Sequence, residues 1–82
     1  MNLSIGQVVV STAGHDKGDL LVVAGFDEKR VLLCDGKSRK LENPKSKNPR
    51  HVSPTERVLD GDSMATNRKI RKTLNKWANP GG

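Results

Sequence analysis

The sequence predicts a mainly β fold, a small five-stranded barrel that is followed by a short basic C-terminal helix. Short apolar segments rich in Val and Leu recur through the first two thirds of the 82 residues, and polar or glycine-containing turns separate them. Asp35-Gly36 is the strongest of these turn signals. Helical spacing of apolar residues occurs only near the C-terminus, at Ile70, Leu74 and Trp77. These observations indicate several strands first and one helix last.

The first three predicted strands cover residues 7–11, 20–26 and 30–34. The second predicted strand is apolar on both faces. The even-numbered residues from 20 to 26, which end with Phe26, would line one face, and Leu21 and Val23 would line the other. A strand of this kind belongs in the middle of a curled sheet or small barrel. Gly25 interrupts the run and predicts a bulge or sharp bend, which barrel closure requires.

The remaining strands are predicted to be short. A fourth strand is expected around residues 39–41, and a closing strand over 51–53 would end before Pro54. Residues 41–50 between them contain two Asn-Pro steps and are predicted to form a loop, because an asparagine before proline avoids the α region. The predicted core is aliphatic and consists of Val8, Val10, Leu20, Val22, Val31, Leu33, Leu41 and Val52.

The C-terminal third changes character. We divide the chain into a barrel over residues 1–57 and a linker with a basic extension over 58–82. A helix is predicted over 63–78, capped by Asp62 or Ser63 and stopped by the residues that follow. One alternative is a tail that orders only on a nucleic-acid partner, because a helix this short is marginal alone. Trp77 would either anchor the helix on the barrel or stack on a base.

Charge is distributed unevenly along the chain. The formal net charge is +6, but residues 1–36 hold three basic and five acidic side chains, whereas residues 37–82 hold twelve basic and four acidic ones. A near-neutral apolar part is thus followed by a strongly basic one. This asymmetry indicates a polyanionic partner, with nucleic acid favoured over an anionic membrane.

The single cysteine, Cys34, excludes an intramolecular disulfide, which agrees with a reducing compartment. Cys34 lies in an apolar segment and is predicted to be a core residue, with a redox or nucleophilic role as the alternative. The N-terminus has neither a basic start nor a long apolar run, so we expect no signal peptide. No apolar run is long enough to span a bilayer, and a cytoplasmic protein is expected.

Residues 6–36 closely resemble a KOW motif, the small β-unit of ribosomal proteins and transcription elongation factors. Gly18 of the Lys17-Gly18 pair stands where that motif keeps its characteristic glycine. Over residues 5–55 the chain is similar to the KOW-type large-subunit ribosomal proteins of archaea and eukaryotes, of the fourteen-e type. The shared pattern is Gly-x-Val, a glycine-rich loop, an apolar strand and Val-Leu-x-x-Asp-Gly. The resemblance implies an SH3-like barrel that binds RNA, with ribosomal RNA as the partner and ribosomal proteins as possible neighbours.

The loop over residues 13–18 is the first candidate contact with RNA. Gly14 and Gly18 permit positive φ and a close approach of the RNA backbone, while His15 and Lys17 can reach phosphate. The alternative is a plain tight turn with solvated charges. The loop lacks the spacing of a nucleotide-binding P-loop and no helical pattern follows it, so nucleotide hydrolysis is not expected.

Two basic blocks complete the predicted RNA-binding set. The first block has six basic residues and one acidic residue within fourteen positions; its basic members are Lys37, Arg39, Lys40, Lys45, Lys47 and Arg50. The second block lies in the predicted helix and consists of Arg68, Lys69, Arg71, Lys72 and Lys76. RNA is favoured over DNA by the resemblance and by the lack of a recognition helix or zinc-ligand set. Two aromatic residues cannot form stacking platforms, so backbone and shape recognition of folded RNA is expected.

Other classes of function have less support in the sequence. A KOW module of a transcription or translation factor that contacts protein without RNA is the main alternative. No residue constellation for catalysis is present, so an enzyme is not expected. His15 and His51 lack partners at metal-ligand spacing, and we expect neither a metal nor another cofactor. A monomer is expected when the chain is free.

Overall fold

The structure is a computed structural model that describes residues 3–78. Five antiparallel strands form one sheet in the order β4-β3-β2-β1-β5, and a helix follows. The strands are β1 (Gln7–Ser11), β2 (Leu20–Asp27), β3 (Arg30–Cys34), β4 (Lys45–Lys47) and β5 (Val52–Val58), and the helix is α1 (Asn67–Ala78). A single turn of 3-10 helix, Pro49–His51, joins β4 to β5. The predicted mainly β class, with five strands and a C-terminal helix, is confirmed.

The sheet curls strongly about its inner face. Strands three positions apart in a flat sheet would lie about 14 Å from each other. The Nζ atom of Lys47 on β4 nevertheless lies 2.7 Å from the Oγ atom of Ser11 on β1. The face that carries both side chains is therefore concave. An aliphatic cluster fills it, consisting of Val9, Leu21, Val23, Val31, Leu33 and Val52.

A second cluster occupies the outer face and is covered by α1. It consists of Val8, Val22, Cys34, Leu59, Ile70 and Leu74, with Trp77 and Met64 packed at its border. The middle strand β2 thus contributes buried residues to both faces, as its sequence predicts. Most of the predicted core is fully buried, whereas Val10, Leu20 and Leu41 are only partly buried.

The bulge predicted at Gly25 is present. Val23 pairs with Leu33 and Gly25 pairs with Leu32, which is adjacent to Leu33 on β3. One residue of β2, between Val23 and Gly25, therefore has no partner on β3. The bulge reverses which residues face inwards. Phe26, predicted on the same face as Val22, instead pairs with Val31 of the inner face and is 53% exposed. That part of the sequence prediction was wrong because one extra residue exchanges the two faces of a strand.

The fourth strand lies elsewhere than predicted. Residues 39–41 belong to the connection after β3, where the Asp35 carboxylate accepts hydrogen bonds from the Lys37 and Arg39 backbone N–H groups, both at 2.8 Å. This side chain holds the backbone in a turn. The observed β4 lies inside the predicted loop, between the two Asn-Pro steps. The extended geometry that proline imposes on the preceding residue suits a short edge strand.

The fifth strand is longer than predicted and the helix is shorter. Strand β5 continues through Pro54, which pairs with Val9, because an edge strand tolerates the missing N–H group of proline. Val58, predicted as the first residue of the linker, belongs to this strand. Helix α1 begins at Asn67, where the Oγ1 atom of Thr66 caps the Lys69 N–H group at 3.1 Å. The predicted helix stop at 79–82 lies outside the described residues, and the boundary after residue 57 stays a prediction.

The N-terminus of α1 is attached to the connection between β3 and β4. The Asn67 side chain accepts a hydrogen bond from the Leu41 N–H group at 2.7 Å and donates one to Glu42 at 2.7 Å. The bond to Glu42 lowers the pKa of that carboxyl group. Gly36, with φ 77°, lies directly against the Asn67 backbone. The position of the helix therefore depends on the turn that follows β3.

Candidate nucleic-acid interface

The β1–β2 loop, residues 12–19, is a compact turn with the two glycine conformations that the sequence predicts. Gly14 and Gly18 have φ values of 87° and 91°. The Gly18 N–H group donates to the Ser11 carbonyl at 2.8 Å, and the Lys17 N–H group donates to the Gly14 carbonyl at 3.2 Å. The side chains of His15 and Lys17 are exposed on this loop. The loop thus presents an imidazole and an ammonium to solvent.

A largely buried ion pair lies beneath the loop. The Lys47 ammonium donates to Asp16 at 2.7 Å, and Lys45 Nζ lies 3.5 Å from the other oxygen of the same carboxylate. Burial raises the pKa of Asp16, but hydrogen bonds from Lys47 and Ser11 and the two lysine charges outweigh burial and hold it well below its usual value. Lys47, predicted to contact RNA, is 6% exposed. The structure therefore does not present Lys47 to a partner.

Several of the predicted cations converge on one groove. It runs across the end of the sheet from the β1–β2 loop, past the connection after β3, to the exposed side of α1. Two adjoining depressions form it, and both are lined by Asp19, Asp35 and Ser38. We call it the basic groove; its basic side chains are His15, Lys37, Arg39, Lys45 and Arg71.

The carboxylates that line the basic groove are partly engaged by the protein itself. Asp16 is compensated by Lys47 from below, and Asp35 accepts two backbone hydrogen bonds. Asp19 is exposed at the point where the two depressions meet. The lysine and arginine side chains of the groove are four, and we call them the groove cations: Lys37, Arg39, Lys45 and Arg71. Three of them, Lys37, Arg39 and Lys45, lie within nine positions of the sequence, and the fold brings Arg71 of α1 to the same surface.

The other predicted cations lie away from the basic groove. Arg50 lines a separate depression together with Lys29, beside the 3-10 helix. Lys40 is exposed in the connection after β3. The remaining members of the second basic block lie on the exposed side of α1; they are Arg68, Lys69, Lys72 and Lys76. Lys69 forms an exposed ion pair with Asp62 at 2.9 Å. The predicted cations outside the groove therefore do not share one surface: Arg50 lines a separate depression, Lys40 lies in the connection after β3, and four lie on α1.

Trp77 docks the helix on the sheet. It packs against the outer cluster, and the Arg57 guanidinium of β5 lies 4.8 Å from its ring centroid. Of the two interpretations of Trp77, the structure supports the helix anchor. No sequence pattern indicated a role for Arg57 or for Asp16. Asp16 could not have been paired with Lys47 from a local pattern, because they are 31 positions apart and meet only when the sheet curls.

Cys34 is a core residue. It is completely buried, and burial, with a smaller effect from the Asp35 charge, raises the pKa of its thiol to about 11. The thiol is therefore protonated at neutral pH and is a poor nucleophile. Within residues 3–78, no three His, Cys, Asp or Glu side chains are grouped to hold a metal ion. The α-helix of that part of the chain is too short and too polar to cross a membrane.

Comparison with known proteins finds a distant similarity to a ribosomal protein. No family model matches the sequence. The chain is 22% identical over 72 residues to a protein of Methanococcus vannielii named large ribosomal subunit protein eL14, and the match covers 88% of each chain. The chain is thus similar to a ribosomal protein over most of its length.

Proposed function

We propose that this chain is a ribosome-associated RNA-binding protein that contacts the backbone of folded ribosomal RNA through the basic groove. The observation that carries the proposal is that the four groove cations, three from residues 37–45 and one from α1, line one surface. Phosphate contacts of this kind supply a large share of the affinity of a protein for nucleic acid and fix its orientation. The similarity to a protein named for the large ribosomal subunit supports ribosomal RNA as the partner.

The finer assignment to the KOW type belongs to the same proposal. The β1–β2 loop has positive φ at Gly18, the glycine on which the resemblance depends. Of its two exposed basic side chains, His15 lines one end of the basic groove, and Lys17 follows two positions later in the same loop. In this proposal the loop and the groove bind one continuous stretch of RNA, with no catalytic step and no cofactor.

The mode of recognition follows from the side chains that are available. Trp77 is held between the outer cluster and Arg57, so it is not a platform for a base. Phe26 is exposed but lies on β2 beyond the bulge and lines neither depression of the basic groove. Contacts with phosphates and with RNA shape therefore explain binding better than base stacking does.

A protein-interaction module is the second candidate, and one observation favours it. Within residues 3–78, three large apolar side chains are more than half exposed, namely Ile5 at 60%, Phe26 at 53% and Val58 at 60%. Such side chains suit a protein neighbour, for example a ribosomal protein. Apolar docking and phosphate binding respond differently to salt, so one measurement separates the two candidates.

The test is a salt titration of binding to labelled fragments of folded large-subunit ribosomal RNA. If Lys17 and the four groove cations neutralise about five phosphates, log K should fall with log salt at a slope of roughly −3.5 to −4.5. A slope near zero would reject the backbone-binding proposal and favour the protein-interaction candidate.

A pair of charge-matched variants tests the location of the interface. One variant replaces the groove cations Lys37, Arg39, Lys45 and Arg71 by glutamine. The control replaces four exposed cations outside the groove by glutamine, namely Lys29, Arg50, Arg68 and Lys72. Both lose four positive charges, so a general effect of net charge is the same in each. We expect the groove variant to lose at least about tenfold more affinity than the control, and equal losses would contradict the proposed location.

A further inference from the structure

Lys47 is a basic residue that the proposed interface does not use. It is 6% exposed, although lysine is among the residues least often buried. Lys47 pairs with Val31, and residues directly opposite each other in a sheet point to the same face. Its side chain therefore extends over the inner face of the sheet, towards β1. A phosphate has no direct access to an ammonium in this position.

Every proton of the Lys47 ammonium is used inside the protein. The ammonium donates to Ser11 Oγ at 2.7 Å, to the Ala13 carbonyl at 2.8 Å and to Asp16 at 2.7 Å. All three acceptors lie at the end of β1 or in the β1–β2 loop. One side chain from the edge strand β4 thus holds the loop at two points, Ala13 and Asp16, and holds the end of β1 at Ser11. Lys45 approaches the Asp16 carboxylate at 3.5 Å.

The loop would gain from such support. It contains two glycines with positive φ, Gly14 and Gly18, and glycine has more conformational freedom to lose than any other residue. A loop that is already ordered loses less freedom when it binds a partner. Charge-assisted hydrogen bonds from a buried ammonium are among the stronger contacts that can order it.

We propose that Lys47 is a positioning residue, whose ammonium holds the β1–β2 loop in the conformation that presents His15 and Lys17 to RNA. Lys47 itself contacts no phosphate. This inference rests on the proposed function, because it assigns the loop an RNA partner. It differs from an assignment based on charge alone, in which Lys47 would be one more phosphate contact.

The sharpest test uses the sign of a charge change. Asp16→Asn removes a negative charge beside the basic groove, so electrostatics alone predicts tighter RNA binding. The positioning role predicts the opposite, because the variant weakens the hold of Lys47 on the loop; we expect affinity to fall about fivefold to tenfold. Asp19→Asn is the matched control in the same loop and should leave affinity unchanged or raise it. Tighter binding by Asp16→Asn would overturn the proposal.

Loop order is measured independently of RNA by amide hydrogen exchange. The N–H groups of Lys17, Gly18 and Asp19 are hydrogen-bonded at the loop and report its order directly. In Asp16→Asn their exchange should accelerate while that of β2 stays unchanged. Unchanged loop exchange would overturn the proposal. Hydrogen exchange tests the ordering of the loop even if the wild-type chain shows no salt-dependent RNA binding. That binding result would reject the proposed function, not the effect of Lys47 on the loop.

The salt slope separates positioning from direct contact. Lys17→Met should weaken binding and make the slope shallower by about one, because it removes a phosphate contact. Lys47→Met should weaken binding without changing the slope, and a change like that of Lys17→Met would overturn the proposal. All variants are compared at a temperature where circular dichroism shows them folded. If Asp16→Asn or Lys47→Met does not fold, Ser11→Ala removes one acceptor without a charge change and should also accelerate loop exchange and weaken binding.

Discussion

Glycines with positive φ differ in what surrounds them, and the difference has consequences for stability. Gly18, with φ 91°, has no neighbouring atom within 4 Å of the position that a Cβ atom would occupy. At Gly36, with φ 77°, a Cβ atom would collide with the backbone oxygen of Asn67 and lie 3.0 Å from the Arg71 nitrogen. Gly36 therefore serves both the turn after β3 and the close approach of α1.

The first prediction compares alanine at these two positions. In Gly18→Ala only the backbone conformation is unfavourable, so we expect the free energy of unfolding to fall by about 1–2 kcal/mol. Gly36→Ala adds a collision with the helix backbone and should cost about 1–3 kcal/mol more. Urea unfolding of both variants measures the difference. Equal losses would mean that the helix does not rest on the turn as described.

At the same scale, the sequence predicted the conformations of individual residues better than their burial. Positive φ at Gly14 and Gly18 followed from the chemistry of glycine alone. The burial of Lys47 did not, because charge in a sequence normally indicates exposure. Its acceptors are 31 or more positions away and reach it only through the curl of the sheet.

At the scale of secondary-structure elements, strong periodicity gave correct predictions and weak periodicity did not. The two-faced β2, its bulge at Gly25 and the docked face of α1 all match the sequence pattern. Strand β4 has three residues, too few to show alternation, and β5 contains a proline that normally ends a strand. A short strand and a strand that contains proline are both tolerated at the edges of the sheet, where β4 and β5 lie. The sequence pattern does not predict the order of strands, so it could not predict these edge positions.

The second prediction concerns the docking of α1. Leu74 is 4% exposed and belongs to the outer cluster, so Leu74→Ala should lower the free energy of unfolding by about 2–4 kcal/mol. Lys72→Ala, at an exposed position of the same helix, should change it by less than about 0.5 kcal/mol. Trp77 is the only tryptophan, so its fluorescence during urea unfolding follows the helix. A Leu74→Ala variant as stable as Lys72→Ala would contradict the packing.

At the scale of the whole molecule, the helix and the sheet share one core. Ile70 and Leu74 complete a cluster whose other members include Val8, Val22 and Cys34, from three strands. A division after residue 57 into a barrel and a separable extension would leave that outer face exposed. In a chain of 82 residues, with a thin core, such a loss is a large fraction of total stability.

The last prediction is therefore that the chain unfolds as one cooperative unit. Trp77 fluorescence, circular dichroism and labelling of the Cys34 thiol should report the same thermal midpoint, because Cys34 becomes accessible only when α1 leaves the outer face. Labelling should be negligible in the folded state, since burial raises the pKa of this thiol to about 11. Deletion of residues 63–82 should abolish the cooperative transition, whereas a chain that ends at residue 78 should keep it. If Cys34 were labelled at temperatures well below the midpoint at which circular dichroism shows the sheet to unfold, the helix would be a separable extension.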